Sequence, residues 1–214
     1  MINLAAAEMV ETQLARRGIR DPRVLDAMRH IPREEFVPEQ FREETYADAP
    51  LPIGFGQAIT QPYMTALMAE LLALRGDEIV LDVGAGSGYH AAVLGALARR
   101  VISVERIPEL CIMARSNLQR TGLESNITVL CGDGSLGVPE ESPFQGISVA
   151  AASPSVPRAL LDQLDDPGTL VIPVGTRADQ DLRVLRKEHG NISTQIVSGC
   201  RFVPLIGHQG WQEN

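Results

Sequence analysis

The sequence predicts a doubly wound α/β fold: a mostly parallel sheet with N-terminal helices and an antiparallel C-terminal hairpin. Three observations carry this expectation. Short apolar strand candidates alternate with helical segments between residues 78 and 175, a glycine-rich turn follows the first of those strands, and a polar–apolar alternation around a His-Gly-Asn turn follows Gly175. Strands separated by helices build parallel sheets, because a parallel pair needs a long crossover, whereas a tight turn between alternating segments builds an antiparallel pair.

The elements follow in chain order. From Asn3 to about Gly18, Leu4, Ala7, Val10 and Leu14 recur at helical spacing, and Gly18 is a stop. A second helix follows Asp21-Pro22, with the Asp as cap, Pro in the first turn, and Val24, Leu25 and Met28 as the buried face. Between His30 and Gln61 the prolines Pro32, Pro38, Pro50 and Pro52 interrupt any periodicity, with Pro62 just beyond. This stretch is expected to be a long ordered loop or a small capping element over a site or partner surface. A helix over YMTALMAELLALR, ended by Gly76, comes next. Strands are expected over 78–84, 100–105, 127–133, 146–152 and 168–175, with helices in YHAAVLGALARR, PELCIMARSNLQRTG and PSVPRALLDQL. One domain over 1–214 is expected: N-terminal helices and a substrate-side loop (1–61), a cofactor-binding core (62–175) and a C-terminal hairpin (176–214).

Composition narrows the partners. A net charge of -8 argues against a surface built to grip a phosphate backbone. Cys111, Cys131 and Cys200 are odd in number and lack metal-ligand spacing, so free thiols in a reducing cytosol are expected, with no metal. The N-terminal stretch carries Glu8 and Glu11, unlike a signal peptide, and no apolar run approaches the roughly 20 residues of a membrane span. The expected protein is cytoplasmic, with no nucleic acid or membrane partner.

In an open parallel sheet ligands bind at the carboxyl ends of the strands, so the residues there are the candidates. The first turn is Gly84-Ala85-Gly86-Ser87-Gly88. A dinucleotide turn, GxGxxG, would place its last glycine at position 89, which is Tyr89; the observed spacing is GxGxG, which suits S-adenosylmethionine. Asp82, just before the turn, fits a cofactor bearing an ammonium group, directly or through water. Glu105 ends the second strand, where an acid accepts hydrogen bonds from ribose hydroxyls. Asp133, in Cys131-Gly132-Asp133-Gly134, ends the third and is placed to accept from an adenine amino group.

With their flanks, these features resemble the bacterial type of protein-L-isoaspartate O-methyltransferase over nearly the whole chain. The resemblance runs from DPRVLDAMRHIPREEFVP through LPIGFGQAITQP, LDVGAGSGYHAAVLG, VISVERI, GDGSLG and LVIPVG to RFVPL, and LPIGFGQAITQP is its most specific block. It implies a class I, Rossmann-like methyltransferase fold. The implied reaction is methyl transfer from S-adenosyl-L-methionine to the free α-carboxylate of an L-isoaspartyl residue in damaged proteins and peptides. S-adenosyl-L-homocysteine is the other product, and the ester closes to a succinimide. A carboxylate is already ionised at neutral pH and needs orientation rather than a strong base. In the family a serine in QTIS supplies the orienting hydroxyl; here the block reads Gln57-Ala58-Ile59-Thr60, which makes Thr60 the catalytic candidate. The resemblance places Gln57, Gly84, Gly86, Ser87, Gly88, Arg106 and Gly134 with the three acids on the cofactor. It places Ala58, Ile59, Thr60, His90 and the late strand Phe202-Val203-Pro204-Leu205 on the peptide. A monomer is expected.

The departures from the family pattern are Thr60, Gln145 where an acid is common near the cofactor side of the sheet, and Val138 where an aromatic is common. They leave open a divergent paralogue acting on another carboxylate, or a cofactor-binding module without turnover. A nicotinamide oxidoreductase is disfavoured by the glycine spacing, and a nucleic-acid methyltransferase by the charge and by Ala150-Ala151-Ala152-Ser153-Pro154 after the fourth strand.

Overall fold

The computed structural model describes residues 3–213. Helix α1 (Leu4–Met9) is capped by Asn3, whose side chain accepts the Ala5 amide, and runs on as a π turn (Val10–Leu14) and a 3-10 turn to Gly18, left-handed at φ 106°. Helix α2 (Pro22–His30) is capped by Asp21. The segment expected as a loop contains two 3-10 helices (Arg33–Phe36 and Glu39–Glu44) and a hairpin of β1 (Leu51–Gly54) and β2 (Gln57–Ile59). Each is too short to display an apolar period, so pattern alone does not reveal it. Helix α3 spans Pro62–Leu71.

The core then alternates: β3 (Ile79–Val83), α4 (Tyr89–Gly95), β4 (Arg100–Glu105), α5 (Pro108–Thr121), β5 (Ile127–Cys131), β6 (Phe144–Val149), α6 (Arg158–Gln163) and β7 (Leu164–Gly175). The hairpin β8 (Gln180–Glu188) and β9 (Asn191–Cys200) follows. The sheet order is β5-β4-β3-β6-β7-β8-β9, parallel from β5 to β7 and antiparallel beyond. His189 and Gly190, both at positive φ, make the expected turn, and Asp166 accepts both of their amides.

Period-two alternation along the strands makes two cores. Val80, Val101, Val129 and Val171 face one layer, with Met28 of α2, Met68 of α3, Leu94 of α4 and Leu110 of α5; Leu81, Ile102, Ile147 and Leu170 face the other, with Leu160 of α6. The chain leaves β3 toward β4 and β5 on one side and returns through β6 and β7 on the other. The order therefore reverses between β3 and β6, and a crevice opens at their carboxyl ends.

Three expectations are corrected, and the Val138 departure is located. Cys111 and Cys131 form a disulfide, because α5 folds back on β5 and brings their Cα atoms to 6.0 Å; Cys200 remains free. Gln145 lies at the end of the sheet remote from the crevice, where it accepts the Ile79 amide at 2.8 Å and donates to Asp165. A carboxylate could do only the first, so the amide suits its neighbours rather than the cofactor. Val138 is buried in the second core, and its amide donates to Gln163, so the missing aromatic changes packing. The late strand is a single bridge: Ala152 donates to the Val203 carbonyl and accepts the Leu205 amide, each at 2.8 Å. Pro204, with no N–H, cannot extend it into a regular ladder.

Candidate active site

The crevice is lined by residues from every segment the sequence singled out. Gln57, Ala58, Ile59 and Thr60 come from the hairpin and the link to α3, Gly84, Gly86 and Ser87 from the glycine turn, and His90 from α4. Glu105 and Arg106 come from the end of β4, Gly134 from the turn after β5, and Val203, Pro204 and Leu205 from the tail. Asp82, Gly88 and Asp133 are outside the lining.

The turn has the backbone a close ligand requires. Gly84, Gly86 and Gly88 all have positive φ, at 95°, 53° and 91°. A Cβ on Gly134 would lie 2.5 Å from Val83 Cγ1, which excludes a side chain there, while at Gly86 the left-handed φ disfavours one and a Cβ would press on Ile53 Cδ1 at 3.2 Å.

Glu105 is buried, not a solvated charge at a strand end. One carboxylate oxygen accepts the Gly86 amide at 2.9 Å and the other accepts the Ile107 amide at 3.0 Å. These bonds aim the carboxylate and tie the glycine turn to β4. Each oxygen retains acceptor capacity for a vicinal diol.

Asp82 stands one layer back. It is fully buried, accepts the Ser103 hydroxyl at 2.6 Å on one oxygen, and leaves the other without a partner. Burial pushes its carboxyl up to about 7, against the pull of Ser103 and with the charge of Glu105 adding to the rise. The Ser87 hydroxyl beside the crevice is likewise buried and unpartnered. Orphaned polar atoms of this kind suit a ligand with an ammonium group more than an empty hydrophobic cleft.

The Asp82 shift has a thermal signature. A folded-state value of about 7, above the 3.8 of a free carboxyl, gives a contribution to stability that is full below the free value and is lost progressively as pH rises from there through about 7. For the cofactor-free protein, the melting temperature of Asp82→Asn minus that of wild type should therefore grow from about pH 5 to about pH 8. A flat difference across that range would contradict the buried, part-unpaired carboxyl.

Asp133 does not face the crevice. Its carboxylate accepts the Ser135 amide and hydroxyl and the His208 amide at 2.9, 2.7 and 2.6 Å. Burial alone would raise its pKa, but these bonds outweigh it and hold the group below its ordinary value. It fastens the tail over the β5 turn and leaves Gly134 to present backbone. Arg106 lines the crevice and pairs with Glu213. His90 is buried against Ser148, with Nε2 to Oγ at 2.8 Å, and burial lowers its pKa to about 4. It is neutral at physiological pH and serves as a polar wall.

Thr60 does not cap α3; Gln61 occupies that position. Its backbone is gripped by a residue that sequence reasoning missed. Arg33 is fully buried, donates from Nη2 to the Thr60 carbonyl at 2.9 Å and from Nε to the Thr45 carbonyl at 2.8 Å, and lies 4.8 Å from the Tyr89 ring centroid. An arginine in a polar stretch such as Pro32-Arg33-Glu34-Glu35 reads as surface, and only the tertiary fold shows it buried. Thr65, Ala150 and Ala151 also line the crevice without any sequence signal.

A class I fold with a GxGxG turn, a buried acid lining the crevice at the end of β4 and unpaired polar atoms behind the turn defines an S-adenosylmethionine-dependent methyltransferase. Comparison with known proteins narrows the class. The family model described as protein-L-isoaspartate(D-aspartate) O-methyltransferase matches residues 5–210. Protein-L-isoaspartate O-methyltransferase 2 of Marinobacter nauticus is 55% identical over 205 residues, covering 95% of this chain and 93% of that protein. The Methanopyrus kandleri protein-L-isoaspartate O-methyltransferase is 51% identical, covering 98% and 94%. A crystal structure of a Plasmodium falciparum protein described as a protein-L-isoaspartate O-methyltransferase, in complex with S-adenosyl-L-homocysteine, superposes with a TM-score of 0.81 at 28% identity, covering 94% of this chain and 98% of that one. The chain belongs to the protein-L-isoaspartate(D-aspartate) O-methyltransferase family.

Proposed function

We propose that this protein methylates the free α-carboxylate of L-isoaspartyl residues in damaged proteins and peptides, with Thr60 orienting the acceptor. One observation carries the reading. The cofactor crevice opens into a second groove, and Ala58, Thr60, Ala150, Val203 and Pro204 line both. An acceptor in the groove thus meets the crevice at the one hydroxyl of that shared wall.

When bound, S-adenosylmethionine supplies an electrophilic methyl group: the S–CH3 bond breaks as the O–CH3 bond forms, and S-adenosylhomocysteine leaves. Glu105, the glycine turn and Gly134 would hold the nucleoside side; Ser87 would answer the ammonium end, with Asp82 acting from one layer back through the field of its part-unpaired carboxyl. Gln57 and Arg106 bound the crevice. Thr60 donates to one acceptor oxygen and leaves the other free to attack, so the carboxylate is aligned without being protonated. No strong base is needed, in keeping with a His90 that is buried and neutral. Val203, Pro204 and Leu205 wall the acceptor, and the Val203 N–H and Pro204 carbonyl are not used in the bridge to Ala152. They are available to an extended peptide whose side chains vary.

Residues 1–61 and 176–214 thus build the acceptor side around the cofactor core of 62–175, as one domain. The family's substrates and the -8 net charge support damaged peptides rather than nucleic acid as acceptors. Among the described residues no helix is long and apolar enough to cross a membrane. A cytoplasmic monomer is our reading from the family, and the Cys111–Cys131 disulfide forms no part of its support.

Methyl-ester formation on matched isoaspartyl and aspartyl peptides tests the substrate; equal or greater activity on the aspartyl peptide would overturn it. Thr60→Ala should lower kcat about 10- to 100-fold, the worth of a hydrogen bond to a charged group, while Thr60→Ser stays within a few-fold of wild type. Full activity in Thr60→Ala would remove the catalytic role.

A further inference from the structure

The acceptor groove, about 810 Å³ in volume, carries three arginines in its lining, Arg17, Arg177 and Arg201, and no carboxylate, on a chain that has 27 acidic residues and only 19 basic ones. Arg17 is engaged: it pairs with Asp48, and its guanidinium carbon lies 3.6 Å from the Tyr63 ring centroid. Arg177 and Arg201 are exposed, and among the described residues neither has a carboxylate within ion-pair distance. The nearby Asp179 and Asp181 line a neighbouring depression together with Trp211, and Asp181 has Arg183 at 4.0 Å. The Arg177 guanidinium lies over Trp211 at 5.3 Å. Packing against that ring orients the group and leaves its N–H edge free for an anion. Arg201 immediately precedes the Phe202-Val203-Pro204 wall that runs down to Thr60.

We propose that Arg177 and Arg201 form an anionic subsite that takes an acidic side chain flanking the isoaspartyl residue, so that acceptors with Asp or Glu beside the damage are preferred. This rests on the isoaspartyl reading of the site. The arginines sit along the acceptor's path and beyond the crevice, so they act on the flanks of the peptide rather than on the reacting carboxylate. Positive charge without a direct ion-pair partner, on a net-negative chain, also draws such acceptors to the groove.

The test uses short isoaspartyl peptides blocked at both ends, with a flanking Glu or Lys as the only added charge and a flanking Gln as the neutral reference. At low salt kcat/KM should be about ten-fold higher for the Glu peptide than for the Lys peptide, and the ratio should fall toward one at about 0.5 M salt as screening shortens. The double variant Arg177→Gln with Arg201→Gln should bring the low-salt ratio close to one. Equal kcat/KM for Glu and Lys peptides at low salt, or a preference that survives the double variant, overturns the subsite while leaving the isoaspartyl activity standing. Methylation of none of these peptides overturns both.

Discussion

Replacing Glu105 by Ala should weaken S-adenosylmethionine binding by about 100-fold or more, measured by titration calorimetry. The carboxylate fixes the Gly86 amide at 2.9 Å and the Ile107 amide at 3.0 Å, and the residue lines the crevice with acceptor capacity left on both oxygens. Each hydrogen bond from a ribose hydroxyl to a charged acceptor contributes about 1.5–3 kcal/mol, and losing two gives about two orders of magnitude or more in Kd. The variant also strands two part-buried amides and frees the glycine turn from β4. Glu105→Gln should be intermediate, because one carboxylate oxygen becomes an NH2 that meets an amide donor head-on. An unchanged Kd in Glu105→Ala would show that the acid is structural only.

The second large effect is expected at Arg33. Among the described residues no carboxylate pairs with its buried guanidinium, and burial lowers its pKa against the opposing influence of Tyr89. Its work is to satisfy two carbonyls, those of Thr45 and Thr60, and to pack over the first residue of α4. Arg33→Met keeps much of the volume but strands both carbonyls, at about 1–3 kcal/mol each, so an unfolding free-energy loss of about 3 kcal/mol is expected in denaturant titrations. Arg33 is a positioning residue for Thr60 rather than a catalytic one. Among molecules that remain folded, KM for the isoaspartyl peptide should rise several-fold while S-adenosylmethionine affinity changes little, and Arg33→Lys should recover part of both losses. A stability loss without any KM change would reduce Arg33 to a purely structural role.

Arg33 also marks where reading the chain stops. Local chemistry is written in local sequence: Asp21-Pro22 caps a helix, His189-Gly190 turns a hairpin, and GxGxG places three left-handed glycines at the end of β3. Glu105 was legible for the same reason, since a strand end is a local position. Asp133 was legible as a strand-end acid, but its orientation was not, because its partners Ser135 and His208 are fixed by where the tail docks. Gln145 was placed at the wrong end of the sheet, because its contact with Ile79 spans 66 residues. The disulfide was missed because Cys111 and Cys131 meet only once α5 has packed onto the sheet.

By itself the sequence determined the α/β class, the cofactor turn and, through its resemblance to one family, the acceptor chemistry, since each of these rests on residues close together along the chain. Only the tertiary structure decided which candidates face the crevice, that a buried arginine bonds the Thr60 carbonyl, and that Arg177 and Arg201 line the groove adjoining the crevice. Those facts depend on contacts between distant segments, and burial and charge pairing have no local signature from which they could be read.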